Sequence, residues 1–363
     1  MSKHYIIPIF VPHFGCPHDC IFCNQKKITG LSTNVTQEEV EKTILEYLGY
    51  FKKDAFIEVA FYGGSFTAID LETQSNLLEI PYKFKKDGLI NEIRLSTRPD
   101  AIDEEVLKNL KKYEVDTIEL GVQSLDEDVL AVSERGHTSD VVYYSSKLIR
   151  DYGFNLGLQM MVGLPLDSFQ KSLYTCHEFI KLKPDCVRIY PTLVVKDTYL
   201  EKQYNEGYYK PLDLNKAIDQ TSIFLMYFYI NNINVIRVGL QPTENIQLGR
   251  DVVAGPFHAA FRQLVEANII RLLLDFYLKD KNIMTNQHNL IIEANSNMIS
   301  VIAGQKSGNI KYWKNIYGFK NVKIYQKNMD KDSISFNIDK YYDNINLIKL
   351  MDEFLKNFQI KTK

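Results

Sequence analysis

The sequence predicts an α/β fold: a partial or complete parallel (β/α) barrel over residues 1–245, followed by a small C-terminal α+β domain over residues 246–363. Two observations predict this fold. Short apolar runs rich in β-branched residues alternate with segments of helical periodicity, and this repeated order implies parallel strands joined by right-handed crossovers. Polar residues suited to chemistry also follow several of the strands directly, where a barrel places its functional loops. A doubly wound open sheet is the alternative architecture.

The predicted strands and helices alternate through the barrel region. Strands are expected at Tyr5–Val11, Ile57–Tyr62, Ile93–Thr97, Thr117–Val122, Leu156–Val162, Val187–Pro191 and Val235–Val238. Helices are expected at Glu39–Tyr50, Leu71–Leu78, Glu104–Lys112, Val141–Asp151, Ser168–Leu182 and Asn215–Ile230. A linker at Gly249–Gly255 then leads into a different pattern. There the sequence predicts a helix, three strands and an amphipathic helix, at Phe257–Leu278, Leu290–Glu293, Val322–Tyr325, Ile334–Ile338 and Ile345–Phe358.

Composition excludes several classes of protein. Of the 363 residues, 45% are hydrophobic and 24% charged, which is typical of a globular chain and not of a disordered one. A net charge of −2 excludes a strongly basic nucleic-acid coat, but leaves room for a local basic face in residues 301–363, which hold twelve lysines and six acidic residues. No apolar run approaches the roughly 20 residues of a membrane span, and the N-terminus lacks the features of a signal peptide. We therefore expect a cytoplasmic protein without a membrane partner.

The strongest chemical signal is a cluster of cysteines just after the first predicted strand. Cys16, Cys20 and Cys23 follow the spacing C-x3-C-x2-C, which indicates soft-metal ligation or redox chemistry in an intracellular protein. A structural zinc site needs four ligands, so a zinc knuckle would recruit His13, His18 or a distant cysteine. A [4Fe–4S] cluster normally takes four thiolates, so three would leave one iron open to a small ligand. Two further cysteines, Cys176 and Cys186, have no partner spacing and are predicted to be structural.

This spacing, with Phe22 before the third cysteine, resembles the radical S-adenosylmethionine (SAM) superfamily. The resemblance implies that Cys16, Cys20 and Cys23 hold a [4Fe–4S] cluster whose open iron binds the amino and carboxylate groups of SAM. It implies reductive cleavage of SAM to methionine and a 5′-deoxyadenosyl radical, which abstracts a hydrogen atom from the substrate. It also implies an external reductant, a flavodoxin- or ferredoxin-like protein.

The resemblance extends to the ends of the later strands and implies a set of SAM-binding residues. Within the stretches YGGSFT, LSTRPDAI, IELGVQS and RGH, and at the fifth strand before Gly-Leu-Pro, the implied residues are Gly63, Gly64, Ser65, Ser96, Gln123, Arg135 and Gln159. These stretches are most similar to the elongator catalytic-subunit branch and also to oxygen-independent coproporphyrinogen oxidase, which has Asp in place of Gln159. Ser96 also fits a simpler interpretation, as part of a helix-capping segment with Thr97 and Arg98.

The elongator subunit continues into an acetyltransferase domain, and the residues after 245 are too few for that domain. We therefore expect radical SAM chemistry on RNA, such as tRNA, without acetyl transfer. In the C-terminal stretch, aromatic and basic side chains interleave in a way that suits base stacking and phosphate contacts; they are Tyr312, Trp313 and Tyr317 with Lys306, Lys311, Lys314 and Lys320. A packed helix with a solvated lysine face is the simpler interpretation of this stretch. Radical SAM chemistry on a small molecule or a protein side chain, and a non-enzymatic zinc- or cluster-binding module, are the alternative functions.

Overall fold

The computed structural model describes residues 3–11, 20–24, 35–52, 54–240, 246–281, 283, 285–339 and 341–362. The chain divides into two compact units, each built from two segments. The first unit combines Met1–Leu212 with Leu240–Phe257, and the second combines Asp213–Gly239 with His258–Lys363. The predicted boundary between residues 245 and 246 lies within a segment of the first unit, and the division into domains stays a prediction. Among the described residues, no helix is long and apolar enough to cross a membrane.

A parallel sheet forms the centre of the first unit. Its strands pair with their sequence neighbours in order; they are β1 (His4–Val11), β2 (Phe56–Gly63), β3 (Glu92–Thr97), β4 (Thr117–Gln123), β5 (Asn155–Val162) and β6 (Cys186–Pro191). Asn234–Val238 (β8) is a further strand, in a segment that belongs to the second unit. A doubly wound sheet reverses the direction of its strand order at an internal switch point. The order from β1 to β6 is sequential throughout, which confirms the predicted barrel in its partial form.

Helices connect these strands, as the sequence periodicity predicts. In the first unit they are α1 (Gln37–Tyr50), α2 (Leu71–Lys86), α3 (Glu104–Lys112), α4 (Glu127–Val132), α5 (Ser139–Asp151), α6 (Phe169–Leu182) and α7 (Tyr199–Asn205). Their starts are well marked: the Thr36 side chain accepts from Glu39 N while Glu39 bonds the Thr36 N–H, which is a capping box. The second helix continues past its predicted end at Leu78, through Pro81, and ends at Lys86. Pro81 is itself buried, and packing holds the helix together there.

The segment predicted as a linker contains a strand. Val252–Ala254 (β9) pairs antiparallel with Val194–Val195 (β7), and Val252 belongs to a buried cluster with Leu193, Val195 and Ile246. The interpretation of Gly249–Gly255 as a linker is therefore wrong. The glycines at both ends of this segment predict a linker, and the apolar run Val252–Ala254 is too short to show the two-residue period of a strand.

The second unit holds a four-stranded sheet and several helices. Its helices include α8 (Leu214–Ile230), α9 (Phe261–Asp280), α10 (Ile299–Ala303), α11 (Gly308–Tyr317) and α12 (Leu347–Thr362). The sheet, here called the C-terminal sheet, has the order β11-β10-β12-β13, formed by Asn321–Gln326, Asn289–Ala294, Ser333–Ile338 and Tyr341–Asn346. The last strand was not predicted, because its sequence YYDNIN has no apolar alternation.

The aromatic side chains of the helix Gly308–Tyr317 do not lie free on its surface, as base stacking would require. Trp313 is fully buried, one helical turn from the buried Asn309. The Tyr312 hydroxyl donates to Asp275 at 2.7 Å, and the guanidinium of Arg271 lies 5.0 Å from the Tyr312 ring. Tyr317 is half-buried beside Phe319. The prediction of base stacking by Trp313 is therefore wrong. The simpler interpretation, a packed helix with a solvated lysine face, agrees with the structure, since the lysines on this helix are exposed.

Candidate active site

Two of the three clustered cysteines lie in the described loop Cys20–Asn24, and Cys16 lies outside the described residues. Cys20 is buried and Cys23 is half-buried. The backbone N–H of Cys23 donates to the Cys20 carbonyl at 2.9 Å, which closes a turn between them. The intervening Ile21 is buried with Val194, Leu200 and other apolar residues, and its carbonyl accepts from Leu200 N at 2.7 Å. The loop is thus anchored to the core of the first unit.

Two guanidinium groups are directed at the Cys20 sulfur. Arg135 Nη1 lies 3.0 Å from Cys20 Sγ, and Arg98 Nη1 lies 3.7 Å from it. Arg135 also donates through Nη2 to the Gly121 carbonyl, and Arg98 donates to the Arg135 carbonyl. Both arginines are buried. The Cys20 sulfur therefore lies within hydrogen-bonding reach of two charged donors.

The ends of β2 and β3 meet beside these arginines. Ser65 Oγ lies 2.9 Å from Thr97 Oγ1 and accepts from the backbone N–H of Arg98 at 3.2 Å. The Arg98 guanidinium is fixed by a bidentate pair with the Asp100 carboxylate, at 2.9 and 3.0 Å. Arg98 therefore pairs a carboxylate of its own chain, and this pair orients it toward Cys20.

Glycines and a strained glutamine give the strand ends their shape. Gly63 has a φ of 108°, a conformation that L side chains rarely adopt, and the Gly64 N–H donates to Val11 O at 3.0 Å. Gln123, the last residue of β4, has a φ of 72°. An added Cβ at Gly121 would lie 3.1 Å from Gln123 Nε2 and 3.7 Å from Arg135 Nη2. The predicted SAM-binding residues Gln123 and Arg135 therefore converge on Gly121.

Four buried polar atoms in this region have no hydrogen-bond partner among the described residues. They are Gln123 Oε1, Ser133 Oγ, Arg135 Nε and His137 Nε2. Burial and the neighbouring Arg135 charge lower the pKa of His137 to about 4, so its imidazole is neutral near pH 7. Buried polar atoms without partners cost free energy, and a polar ligand at this strand end could satisfy them.

A second group of predicted residues lies deeper in the sheet, around Glu119 on β4. Gln159 Nε2 lies 3.3 Å from both Ser96 Oγ and Glu119 Oε2. Glu119 is fully buried and pairs with two arginines: Arg94 Nη1 at 3.0 Å and Arg188 Nη2 at 2.8 Å. Ser96 and Gln159 are therefore held by an ion network of the chain itself, here called the Glu119 network.

The Glu119 network extends toward two tyrosines. Arg188 Nη2 donates to the Tyr62 hydroxyl at 2.7 Å, and Arg188 Nη1 lies 3.4 Å from the Tyr190 hydroxyl. Burial raises the pKa of Glu119, but the charges and hydrogen bonds of Arg188 and Arg94 outweigh it and leave that pKa lowered. Burial raises the pKa of Tyr62 to about 12. The sequence predicts no role for Glu119 or Arg94. Each lies inside a strand, and the partners of its side chain depend on the register with the neighbouring strands.

The other two cysteines behave as predicted for structural residues. Cys176 is fully buried within the helix Phe169–Leu182, and burial raises its pKa well above the ordinary value. Burial and the nearby Glu119 charge raise the pKa of Cys186 to about 11. A thiol with so high a pKa is protonated near neutral pH and is a poor metal ligand.

Comparison with known proteins identifies the family. The sequence matches the Radical SAM superfamily over residues 10–172 and the Radical_SAM C-terminal domain over residues 184–271. The chain belongs to the radical SAM superfamily. Members of this superfamily are enzymes that use a [4Fe–4S] cluster and SAM and that need a reductant, so the protein is a radical SAM enzyme. The non-enzymatic alternative is thereby excluded.

Individual relatives refine this membership. The chain is 29% identical over 238 residues to an uncharacterized protein of Methanocaldococcus jannaschii, covering 62% of this chain and 72% of that one. It is 29% identical over 240 residues to a tRNA uridine(34) acetyltransferase of Dehalococcoides mccartyi, covering 56% of this chain and 52% of the relative. The chain thus spans about half the length of that acetyltransferase. The fold is similar to that of the archaeal Methanocaldococcus infernus Elp3, with a TM-score of 0.56, 20% identity and coverage of 78% of this chain and 64% of that chain.

The described residues fit the cofactors of a radical SAM enzyme. Cys20 supplies a sulfur beside two charged donors, and Cys23 follows it by one turn. Arg135 Nε, Gln123 Oε1 and His137 Nε2 offer both donors and acceptors without partners among the described residues, as a zwitterionic ligand requires. A cavity of about 450 Å³ lies within the second unit, lined by residues such as Tyr229, Arg262 and Met351. None of the predicted site residues lines that cavity.

Proposed function

We propose that this radical SAM enzyme modifies tRNA. The observation that carries the proposal is its similarity to a tRNA uridine(34) acetyltransferase, which extends over 240 residues and 56% of this chain. The six exposed lysines between residues 306 and 327 support it, since they offer contacts to phosphate. The proposal concerns the radical step and not acetyl transfer, because the similarity covers only about half of the acetyltransferase.

The proposal assigns the cofactors to the residues predicted from the sequence. Cys16, Cys20 and Cys23 would hold the [4Fe–4S] cluster, and the residues that would contact SAM are Gly63, Gly64, Ser65, Ser96, Gln123, Arg135 and Gln159. When bound, the cluster and SAM would supply the chemistry of reductive sulfonium cleavage and hydrogen abstraction beside these residues. We include a flavodoxin- or ferredoxin-like reductant and a cytoplasmic location in the proposal, since free thiols and clusters need a reducing compartment.

The chain's own residues then position the ligand. Arg135 uses Nη1 toward Cys20 and Nη2 toward the Gly121 carbonyl. Its buried Nε has no partner among the described residues and would donate to a ligand carboxylate. Gln123 Oε1 is an acceptor for an ammonium group or a hydroxyl. His137 is neutral near pH 7 and so adds no positive charge beside Arg98 and Arg135. Because these groups are buried and preorganised, little reorganisation is needed when the ligand binds.

The test is anaerobic incubation of the enzyme with SAM, dithionite and unmodified tRNA. We expect release of 5′-deoxyadenosine that rises when tRNA is added, together with a mass change in one tRNA nucleoside. Cys20→Ala should abolish both signals, whereas Cys176→Ala is the matched control because Cys176 is a buried helical cysteine. If wild-type enzyme cleaves SAM but leaves tRNA unchanged, the tRNA assignment is wrong and a small molecule or protein side chain becomes the substrate class to test.

A further inference from the structure

The C-terminal sheet of the second unit has one face that is covered by apolar packing and one that is exposed. Along Asn321–Gln326, Val322 points to the covered face and is buried, whereas Lys323 and Tyr325 are exposed. On the strand at the opposite edge, Tyr342 is also exposed. This alternation follows from the two-residue period of a strand. The exposed side is here called the open face.

Strand register places the residues of the open face in two rows. In the first row Lys323 lies beside Ile291, which pairs with Asn337, which pairs with Tyr342. In the second row the order is Tyr325, Glu293, Ser335 and Asn344. The two tyrosines therefore lie on the outer strands at diagonal positions, three strand spacings apart across the sheet and two residues apart along it, or about 16 Å in all. They are 47% and 58% exposed, so both rings are accessible to a ligand.

The segment that leads into and forms the edge strand Asn321–Gln326 is positively charged. From Asn295 to Met329 the sequence contains six lysines and no aspartate or glutamate. All six are exposed; they are Lys306, Lys311, Lys314, Lys320, Lys323 and Lys327. Among the described residues, only Lys327 of these six forms an ion pair, with Glu293 at 2.5 Å. Five cations of this surface thus remain available for an anionic partner.

The acidic residue on the open face is already neutralised. Glu293 accepts from Lys327 at 2.5 Å and from Ser335 Oγ at 2.9 Å. The Lys327 ammonium also lies 6.0 Å from the centroid of the Tyr342 ring, where a cation is attracted by the aromatic face. The repulsion that Glu293 would exert on a phosphate is therefore offset by its neighbour.

We propose that the open face binds a single-stranded segment of the RNA substrate, with Tyr325 and Tyr342 stacking on bases and the lysines of residues 306–323 contacting phosphates. Exposed aromatic rings on a sheet combined with surrounding cations are the features by which sheets bind unpaired RNA. An acidic peptide would pair with the lysines but would gain little from two separated rings. This inference rests on the proposed function, since it assigns a surface to the same RNA substrate.

The test measures binding by fluorescence anisotropy, with the full-length, cluster-loaded protein and a labelled short oligouridylate. We expect Tyr325→Ala combined with Tyr342→Ala to weaken binding at least tenfold, since one stacked base contributes about that factor. Tyr325→Phe with Tyr342→Phe should retain wild-type affinity, because the ring and not the hydroxyl stacks. The matched control is Tyr208→Ala, at a tyrosine of the first unit that is 82% exposed, and it should bind as wild type.

The lysines are tested through salt. Changing Lys311, Lys314 and Lys323 to Gln should make the slope of log affinity against log salt shallower by about 2, because each phosphate that a lysine neutralises on a single strand accounts for about 0.7 of that slope. Melting temperatures of all variants must match wild type within a few degrees for the comparison to count. Unchanged affinity in the tyrosine double variant, or a self-association of the wild type that this variant abolishes, would overturn the inference.

The two proposals fail in different ways. If the wild type modifies tRNA and the Tyr325→Ala, Tyr342→Ala variant does so with unchanged KM for tRNA, the open face is not the RNA-binding surface while the proposed function stands. If the wild type binds oligouridylate through the open face but changes no tRNA nucleoside, the surface is supported and the tRNA reaction is wrong.

Discussion

Arg135 Nη1 lies 3.0 Å from the sulfur of Cys20, although the two residues are separated by 115 positions in the sequence. The contact joins the cysteine loop to the segment after β4, and Arg135 secures it further through the carbonyl of Gly121. The family resemblance implies that Arg135 binds the SAM carboxylate. The geometry assigns it two contacts with its own chain and leaves one of its nitrogens, Nε, buried without a partner among the described residues.

This arrangement predicts the effect of replacing Arg135. Arg135→Gln should weaken SAM binding about 10- to 100-fold, since a hydrogen bond to a charged group contributes about 1.5 to 3 kcal/mol, while iron content stays at the wild-type level. The measurements are equilibrium binding of SAM to the anaerobic enzyme and iron analysis. Arg150→Gln, at an exposed helical arginine, is the matched control. Loss of iron in Arg135→Gln with normal SAM affinity of the remaining holoenzyme would contradict the assignment.

The Glu119 network predicts a large effect on stability. Glu119→Gln leaves the buried Arg188 without a carboxylate partner, whereas Arg94 keeps its pair with the buried Glu58 at 2.7 Å. We expect the free energy of unfolding to fall by about 3 kcal/mol. The measurement is urea denaturation followed by circular dichroism. Glu79→Gln makes the same substitution in an exposed pair with Lys83 and should leave the midpoint nearly unchanged. Equal midpoints for the two variants would mean that the network contributes little.

Gly157 on β5 is predicted to accept no side chain. An added Cβ would lie 2.6 Å from Glu119 Cγ and 3.1 Å from Cys186 Sγ, so Gly157→Ala should lower the free energy of unfolding by about 1 to 3 kcal/mol through overpacking. Gly49→Ala is the control, because Gly49 lies in the helix Gln37–Tyr50 with open space around it. There alanine should stabilise by about 0.5 to 1 kcal/mol. Thermal melts of both variants would show shifts of opposite sign, and a stabilised Gly157→Ala would refute the predicted clash.

His137 predicts a pH dependence of stability. Burial and Arg135 lower its folded-state pKa from 6.5 to about 4, so between these values the unfolded state binds a proton that the folded state does not. Stability should therefore be complete above pH 6.5 and fall by about 2 kcal/mol between pH 7 and pH 5 from this group alone. His137→Gln should lose this share of the pH dependence, measured by urea denaturation at both pH values. His288→Gln, in the second unit, should retain it, and identical pH profiles for the two variants would exclude the assignment.

Local sequence signals predicted most of the fold but only part of the site. Short apolar runs located the six sheet strands of the first unit to within a few residues, because strands buried on both faces have nearly continuous apolar sequences. The strand Tyr341–Asn346 was missed because one face of it is polar, and Val252–Ala254 because it is short. The helix through Pro81 was predicted too short because tertiary packing outweighed a local breaker.

The site divides along the same line. Sequence motifs predict Cys20, Gln123 and Arg135 as site residues. They give no signal for Glu119 and Arg94, because the partners of a charged residue inside a strand depend on the register with the neighbouring strands. For Trp313 the sequence leaves base stacking and core packing both open, because the surrounding lysines mask the helical period that buries it. In each case the missing information is a long-range contact, which a single sequence does not contain.

The return of Leu240–Phe257 to the first unit, where Val252 pairs with Val195, has a practical consequence for dissecting the protein. The polypeptide crosses between the units three times, so a single cut cannot separate two complete units. A truncation after Leu212 would remove the strand Val252–Ala254 from the first unit. A truncation after Phe257 would retain the helix Leu214–Ile230 without the rest of the second unit. A genetic fusion that rejoins Leu212 to Leu240 through a short artificial connector is the route to an isolated cluster-binding half.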